Sequence, residues 1–545
     1  MGIFKEKPIA GWAGILILIA AFLALYEPWG LGIRELFREE GLYAVQAAEY
    51  DLHSAVVTAH GVTSQTAFPL FPALVSLLFR LTGVPMEYAL RLVSVIMLGA
   101  TAVLVYFAAA SERSWRSGCV AAAMFLSCWL SVEKGTDGYP ATTSAFLLLA
   151  AQLVFFQFGI RRNSWNQGWI FNLALLSLGF LAGGFPVLLF FVFPMFFFRR
   201  PLSVKSKFSK PGFAVGITLL AATVGFWLFS GWELSNRGAM LQEFLWQDNS
   251  FQDYLANVLM FPIELPLRLM PWTLIAWIPF CVALQALDET PIFSRYLRTL
   301  CFATLGLLWL LPENDPREIF FLLGPWSILV GIHYELAMRR YGFKIRRLLV
   351  VGEIFAFFCA ALLLTVCFVP EAWLTPFISL GRSLAFREPQ SYLLSAAAAA
   401  AVTAVLAMAI RHGRNSWPVW LILLLISVAG GLFYWNVMQP YRAQENDKRI
   451  FGETVAAALA REPAGKLYKS NILDLYGELY YSGTEVRRIL ELDELPTTEE
   501  VVYLISTEFP QYPDRSWVNL LAPDYSYRGH RLFLWKGTLR PAADN

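Results

Sequence analysis

The sequence predicts an all-α polytopic membrane protein of about 13 spans with a small α/β domain at its C-terminal end. Three observations predict it. Hydrophobic residues make up 57% of the 545 and charged ones only 15%, a balance foreign to soluble globular chains of this length. Apolar runs long enough to cross a bilayer recur from Ile9 onward. After Pro440 these runs stop and the composition turns mixed and polar, which divides the chain into a membrane part, 1–440, and a soluble domain, 441–545.

In chain order the expected spans lie near 9–27, 88–110, 116–133, 140–160, 166–182, 184–199, 212–231, 269–287, 297–312, 318–338, 347–369, 391–411 and 416–436. The first follows Lys5 and Lys7 and has no small-x-small cleavage site, so it reads as a retained anchor. The segment 68–83 is apolar but short and flanked by Pro69 and Pro72, as for a re-entrant or surface helix. Between Phe37 and Glu49 the apolar and small residues fall at helical spacing, the pattern of an amphipathic helix lying on the membrane surface.

Basic residues cluster on alternating loops: Arg113/Arg116, Arg161/Arg162, Arg199 to Lys210, Arg295/Arg298, Arg339 to Arg347 and Arg411/Arg414, in phase with Lys5 and Lys7. The positive-inside bias therefore places the N-terminus and these loops in the cytosol. The acids Glu39 and Glu40, Asp137 in Gly135-Thr136-Asp137-Gly138-Tyr139-Pro140, the loops 232–268 and 312–318, and the tail then share the extracytoplasmic face. Polar groups at span ends that converge on one face mark a site. Each has a plainer reading. Glu39 and Glu40 would also suit a helix N-terminus as solvated charges, and Asp137 would cap the span that begins near Tyr139.

The tail reads as a helix (451–462), a strand (466–469), a helix (472–481) and strands near 501–506 and 531–535, with no glycine-rich phosphate loop and no nucleophile motif. All six cysteines fall in apolar spans and the five histidines are scattered, so neither a disulfide framework nor a zinc site is expected. No N-x-[ST] acceptor occurs, in keeping with a bacterial inner (cell) membrane protein. The net charge of +2 gives no footprint for nucleic acid.

Taken together, these pieces resemble the bacterial GT-C glycosyltransferases of the protein O-mannosyltransferase and lipid A aminoarabinose transferase type. Glu39-Glu40-Gly41-Leu42-Tyr43-Ala44 matches the family's carboxylate pair followed by x-x-Tyr-Ala, with Glu39 where the family has Asp. Gly61, Thr66-Ala67-Phe68-Pro69, Leu81-Thr82-Gly83 and Ala89-Leu90-Arg91-Leu92 follow in the family's order. Asp137-Gly138-Tyr139-Pro140 sits where the family has Asp-x-Pro. Leu181-Ala182-Gly183-Gly184-Phe185-Pro186 is similar to its Thr-Lys-Gly-Pro turn, and Leu269-Met270-Pro271-Trp272 to its Leu-Pro-Trp. Two of its lysines are missing, at Ala67 and Gly183.

The resemblance implies an inverting transferase that moves a sugar from a polyprenyl-phosphate carrier to a hydroxyl of a lipid, glycan or protein on the extracytoplasmic face. It implies Glu39 as the catalytic base, Glu40 as its support, and Asp137 as an acceptor-orienting group or a partner of Glu39 on a divalent cation. A phosphate leaving group needs fixed cations, for which Arg268 and Arg317 are the first candidates, with Lys134 and Arg237 beside them. Two other classes stay open. A transporter or lipid flippase would show repeated halves and ionisable groups at mid-membrane, and a catalytically lapsed GT-C scaffold would account for the missing lysines.

Overall fold

The computed structural model describes residues 9–51, 56–63, 68–199, 202, 204–230, 251–311, 315–368, 389–411, 417–439, 447–470, 473–489, 494–496, 499–512, 514–521, 525–527 and 529–539. It has two compact units: Met1–Leu31 with Arg91–Arg442, and Gly32–Leu90 with Ala443–Asn545.

The first unit is helical. Among the described residues five segments are long and apolar enough to cross a membrane: Gly11–Gly30, Met86–Glu112, Ala141–Arg161, Pro211–Phe229 and Val419–Asn436. A sixth results if Tyr254–Arg268 and Thr273–Phe280, bent by 105°, count as one broken span. Several expected spans take another form. Those near 318–338 and 347–369 are one helical run, Phe320–Phe368, with no intervening loop. The span expected near 269–287 is instead the short helices Thr273–Ala276, Ile278–Phe280 and Val282–Gln285, because Pro271 and Pro279 interrupt the backbone donors a continuous helix needs. The helix Phe251–Arg268 precedes it, inside what reads from sequence as the external loop 232–268. Residues 231–250 of that loop lie outside the described residues.

Buried hydrogen bonds fix the first unit's helices to one another. Trp435 Nε1 donates to the Leu25 carbonyl at 2.6 Å, and Tyr26 Oη donates to the Leu126 carbonyl at 2.6 Å. Each satisfies a polar group that would be costly left unpaired in an apolar interior.

The second unit holds a five-stranded sheet built from Lys466–Ser470 (β1), Val486–Ile489 (β2), Val501–Ser506 (β3), Arg515–Leu521 (β4) and Phe533–Leu539 (β5). Their order across the sheet is β2-β1-β3-β5-β4. β1 runs parallel to β2 and β3, and β5 antiparallel to β3 and β4. The edge strands β2 and β4 are the two that sequence reading misses, because Arg487, Arg488, Arg515 and Asn519 dilute the apolar signal, as charge on an edge strand does. One sheet face packs Leu467, Tyr503, Ile505 and Leu534 against Phe451 and Val455 of the helix Asp447–Leu459 and Leu479 of the helix Tyr476–Tyr480. Residues 32–90 join this unit through the helix Glu40–Glu49, which buries Glu40, Gly41, Ala44, Val45, Gln46 and Ala47, the hairpin Thr58–Ala59/Val62–Thr63 and the helix Leu70–Thr82.

Candidate functional site

The acidic corner belongs to the second unit. Arg38 holds φ at +49°, a left-handed conformation that costs a non-glycine residue about 1 kcal/mol. The chain then turns directly into the helix Glu40–Glu49. Glu39 stands at the helix N-cap position, exposed, and makes no side-chain capping bond. Glu40 is fully buried; its Oε2 accepts from the Phe37 amide at 2.9 Å and lies 3.8 Å from Arg34 Nη2. Adjacent helix positions point about 100° apart. One acid is therefore presented while its neighbour braces the loop from inside. Sequence reading did not find Arg34, whose place six residues before Glu40 follows no local spacing.

Asp137 belongs to the first unit and is not a helix cap: the next helix, Ala141–Val154, has Pro140 at its N-cap. Its carboxylate faces Arg317 Nη2 at 3.5 Å and Lys134 Nζ at 3.9 Å. The Arg317 guanidinium lies over the Tyr139 ring at 3.4 Å and donates to Asp315 Oδ2 at 3.0 Å. Three residues picked separately from the sequence thus meet in one cluster. Arg268 stands apart, paired with Glu264 one helical turn back, and Arg237 lies outside the described residues. Among the described residues no three His, Cys, Asp or Glu side chains gather as a metal site. Asp137 is already offset by two cations, so these residues do not fit the expected divalent cation and no step is derived through one.

The Leu269–Trp272 turn seats this region on its neighbours. Trp272 Nε1 donates to Ser127 Oγ at 2.8 Å, and the Trp129 amide donates to the Met270 carbonyl at 2.8 Å. Beside the turn is a cavity of about 680 Å³, lined by Trp129, Val132, Met270, Leu349, Phe355 and Ile426 among others. Trp129 and Val132 belong to the short helix Trp129–Lys134, whose end carries Lys134. An oily chamber and a cationic cluster are therefore joined by one helix less than two turns long.

The missing lysine at Gly183 has a local cause. A Cβ there would lie 2.2 Å from Ser144 Oγ, and Gly184 turns the chain at φ +73°. A lysine at 183 has no room, and one at 184 would be strained. Thr66 and Ala67, at the other lysine position, lie outside the described residues.

No protein-family model and no curated protein sequence matches this chain. Its fold is similar to that of solved GT-C structures. Crystal structures of ArnT from Cupriavidus metallidurans match over nearly full length at 15% identity: bound to undecaprenyl phosphate, with a TM-score of 0.64 over 97% of this chain and 98% of that one, and in the apo state, with 0.63 over 96% and 98%. The chain has the ArnT-like GT-C fold, a polytopic helical membrane architecture with a small C-terminal sheet domain.

Proposed function

We propose that this chain is an integral-membrane glycosyltransferase that moves a sugar from a polyprenyl-phosphate carrier to a hydroxyl on the extracytoplasmic face. The observation that carries the reading is the full-length likeness of fold to a protein crystallised with undecaprenyl phosphate. The apolar cavity supports it, as does its short link to the Lys134–Asp137–Arg317 cluster. In this reading Glu39 removes the proton of the acceptor hydroxyl. The freed oxygen attacks the anomeric carbon from the face opposite the phosphate, the carbon–oxygen bond to phosphate breaks, and configuration inverts. Arg317 and Lys134 bind the donor phosphate, which carries negative charge before transfer as after it. Gly183 leaves no room for a lysine, and Arg317, Lys134 and Arg268 are the cations proposed for that role.

Purified protein, incubated with a radiolabelled polyprenyl-phosphate sugar and a membrane extract, is expected to move label to a lipid, glycan or protein. Sugar that stays on the carrier under every acceptor tried, together with carrier movement across vesicles, makes the chain a flippase instead. The orientation that goes with this reading has the N-terminus in the cytosol and 441–545 outside. In a cysteine-free background, a single cysteine at Ser526 is expected to react with an impermeant thiol reagent in intact cells, and one at Ser164 to stay unlabelled. The reverse labelling inverts the topology.

A further inference from the structure

The acidic corner gets its shape from a part of the chain more than 400 residues away. The helix Glu40–Glu49 lies backbone to backbone on the helix Tyr476–Tyr480: a Cβ added at Gly41 would sit 2.3 Å from the Gly477 nitrogen and 2.5 Å from its Cα. Just before the corner, the Leu36 amide donates to Tyr481 Oη at 2.8 Å. Glu35 Oε2 accepts from the Arg449 amide at 3.1 Å, and Arg449 Nη2 reaches Glu87 Oε1 at 2.8 Å. The Arg449 guanidinium also lies 5.0 Å from the centre of the Tyr481 ring.

Beyond the helix the ties repeat. Glu49 accepts from the His60 and Gly61 amides at 2.8 and 3.2 Å. The Arg488 amide donates to the His60 carbonyl at 3.1 Å, and the His60 ring stacks on Tyr476 at 5.0 Å. Contacts to the C-terminal domain thus bracket Glu39 on both sides, while Glu39 itself is exposed.

We infer that the C-terminal domain is the positioning element of the catalytic loop, with Tyr481, Arg449 and the Gly41–Gly477 seam holding residues 35–41 so that Glu39 stands at a fixed place. The inference rests on the proposed role of Glu39. It gives the domain a task that its lack of a catalytic motif leaves open. A base acts only within hydrogen-bond reach of the proton it takes, and a displacement of about 1 Å costs on the order of 100-fold in rate. An exposed acid on a strained corner needs its place set, and to the local brace of Glu40 the C-terminal domain adds Tyr481, Arg449 and the helix Tyr476–Tyr480.

The test uses the full-length protein in detergent, with hydrogen exchange at the amides of residues 35–43 read beside steady-state transfer. Gly41→Ala is expected to speed exchange there at least tenfold and to lower kcat by about 100-fold, with the KM for the carrier-linked donor unchanged. Tyr481→Phe, which keeps the ring and removes the hydroxyl that meets the Leu36 amide, Glu87 and Arg449, guards against misfolding and is expected to do the same more weakly. Arg461→Ala, at an exposed site on the same domain, is the control. Wild-type exchange and kcat in both Gly41→Ala and Tyr481→Phe overturn the inference. So does faster exchange with a raised donor KM and unchanged kcat, because the seam then shapes binding rather than the base. Glu39→Gln is assayed in parallel: full transfer by that variant overturns the role of Glu39 itself, and wild-type exchange in Gly41→Ala is a separate result that leaves that role standing.

Discussion

Glu39 and Asp137 are both acids just ahead of a helix, and the resemblance gives them different roles, base and acceptor-orienting group. Their surroundings differ. Asp137 faces Lys134 and Arg317 within 4 Å, so its charge is spent on holding two cations in place. Glu39 is exposed, and its brace is the buried Glu40 beside it. In the proposed reading the difference separates two tasks: the carboxylate offset by cations orders the donor-phosphate cluster, and the exposed one takes the proton. Burial alone would have ranked Glu40 first, yet Glu40 is fully buried and held by Phe37 and Arg34.

The largest effect expected from breaking this contrast is at Glu39. Glu39→Gln keeps shape and removes basicity, so turnover should fall by about 10²–10⁴-fold while the protein still inserts and binds carrier. Glu40→Gln should cost much less turnover and appear as lost stability of about 1–3 kcal/mol, measured by thermal unfolding. Losses in the reverse order make Glu40 the base, and unchanged transfer in both removes the corner from catalysis.

Next in size is the cationic cluster. Arg317→Ala should raise the donor KM by about tenfold, since a charge-assisted hydrogen bond is worth about 1.5–3 kcal/mol, with kcat little changed. Asp137→Asn should move the donor KM the other way, because Lys134 and Arg317 are then less neutralised. Equal losses of kcat in both variants would place the pair at the reacting centre and erase the distinction from Glu39.

Two buried groups in the C-terminal unit give smaller, pH-dependent effects of opposite course. Burial pushes Glu35 up to about 6. Its stabilising contribution is complete below its ordinary value near 4.5 and is lost as pH rises through 6. Burial pushes Lys469 down to about 7. Its contribution is complete above its ordinary value near 10.5 and is lost as pH falls through 7. Unfolding midpoints of Glu35→Gln should lose the acid-side slope between pH 4.5 and 6, and those of Lys469→Met the alkaline-side slope between 7 and 10.5. A variant whose slope matches wild type removes that group from the balance.

The last effect is read in stability alone and separates the two sides of one seam. Gly41→Ala meets backbone at 2.3 Å, whereas a Cβ at Gly477 meets nothing nearer than 3.6 Å. Overpacking costs about 1–3 kcal/mol. A tolerated Gly→Ala change stabilises by about 0.4–1 kcal/mol. The two alanine variants should therefore shift the unfolding midpoint in opposite directions, and shifts of the same sign would mean the helices do not meet as described.

Much was legible before any coordinates. Apolar runs, the polar tail and the helix after the first span all follow from composition and spacing, because side-chain transfer energies act residue by residue. Glu39, Glu40, Asp137, Lys134, Arg268 and Arg317 could be picked as candidates in the same way, since charged residues flanking apolar runs are few. The proline-broken segment near 269–287 was read as a continuous span because hydropathy does not register a missing backbone donor.

Only the tertiary structure decided how these candidates divide. Arg317 and Asp137 are 180 positions apart in sequence, and Leu36 and Tyr481 are farther apart still. Pairings of that kind leave no periodic trace, because they depend on where whole helices come to rest. The same holds for Gly183 and Gly41, whose need for glycine arises from Ser144 and Gly477 across a helix contact. Local chemistry determined which groups this chain possesses and on which segments they stand. Packing determined which acid is neutralised, which is buried and which is left exposed, since electrostatic and steric terms depend on distances that only the folded chain sets.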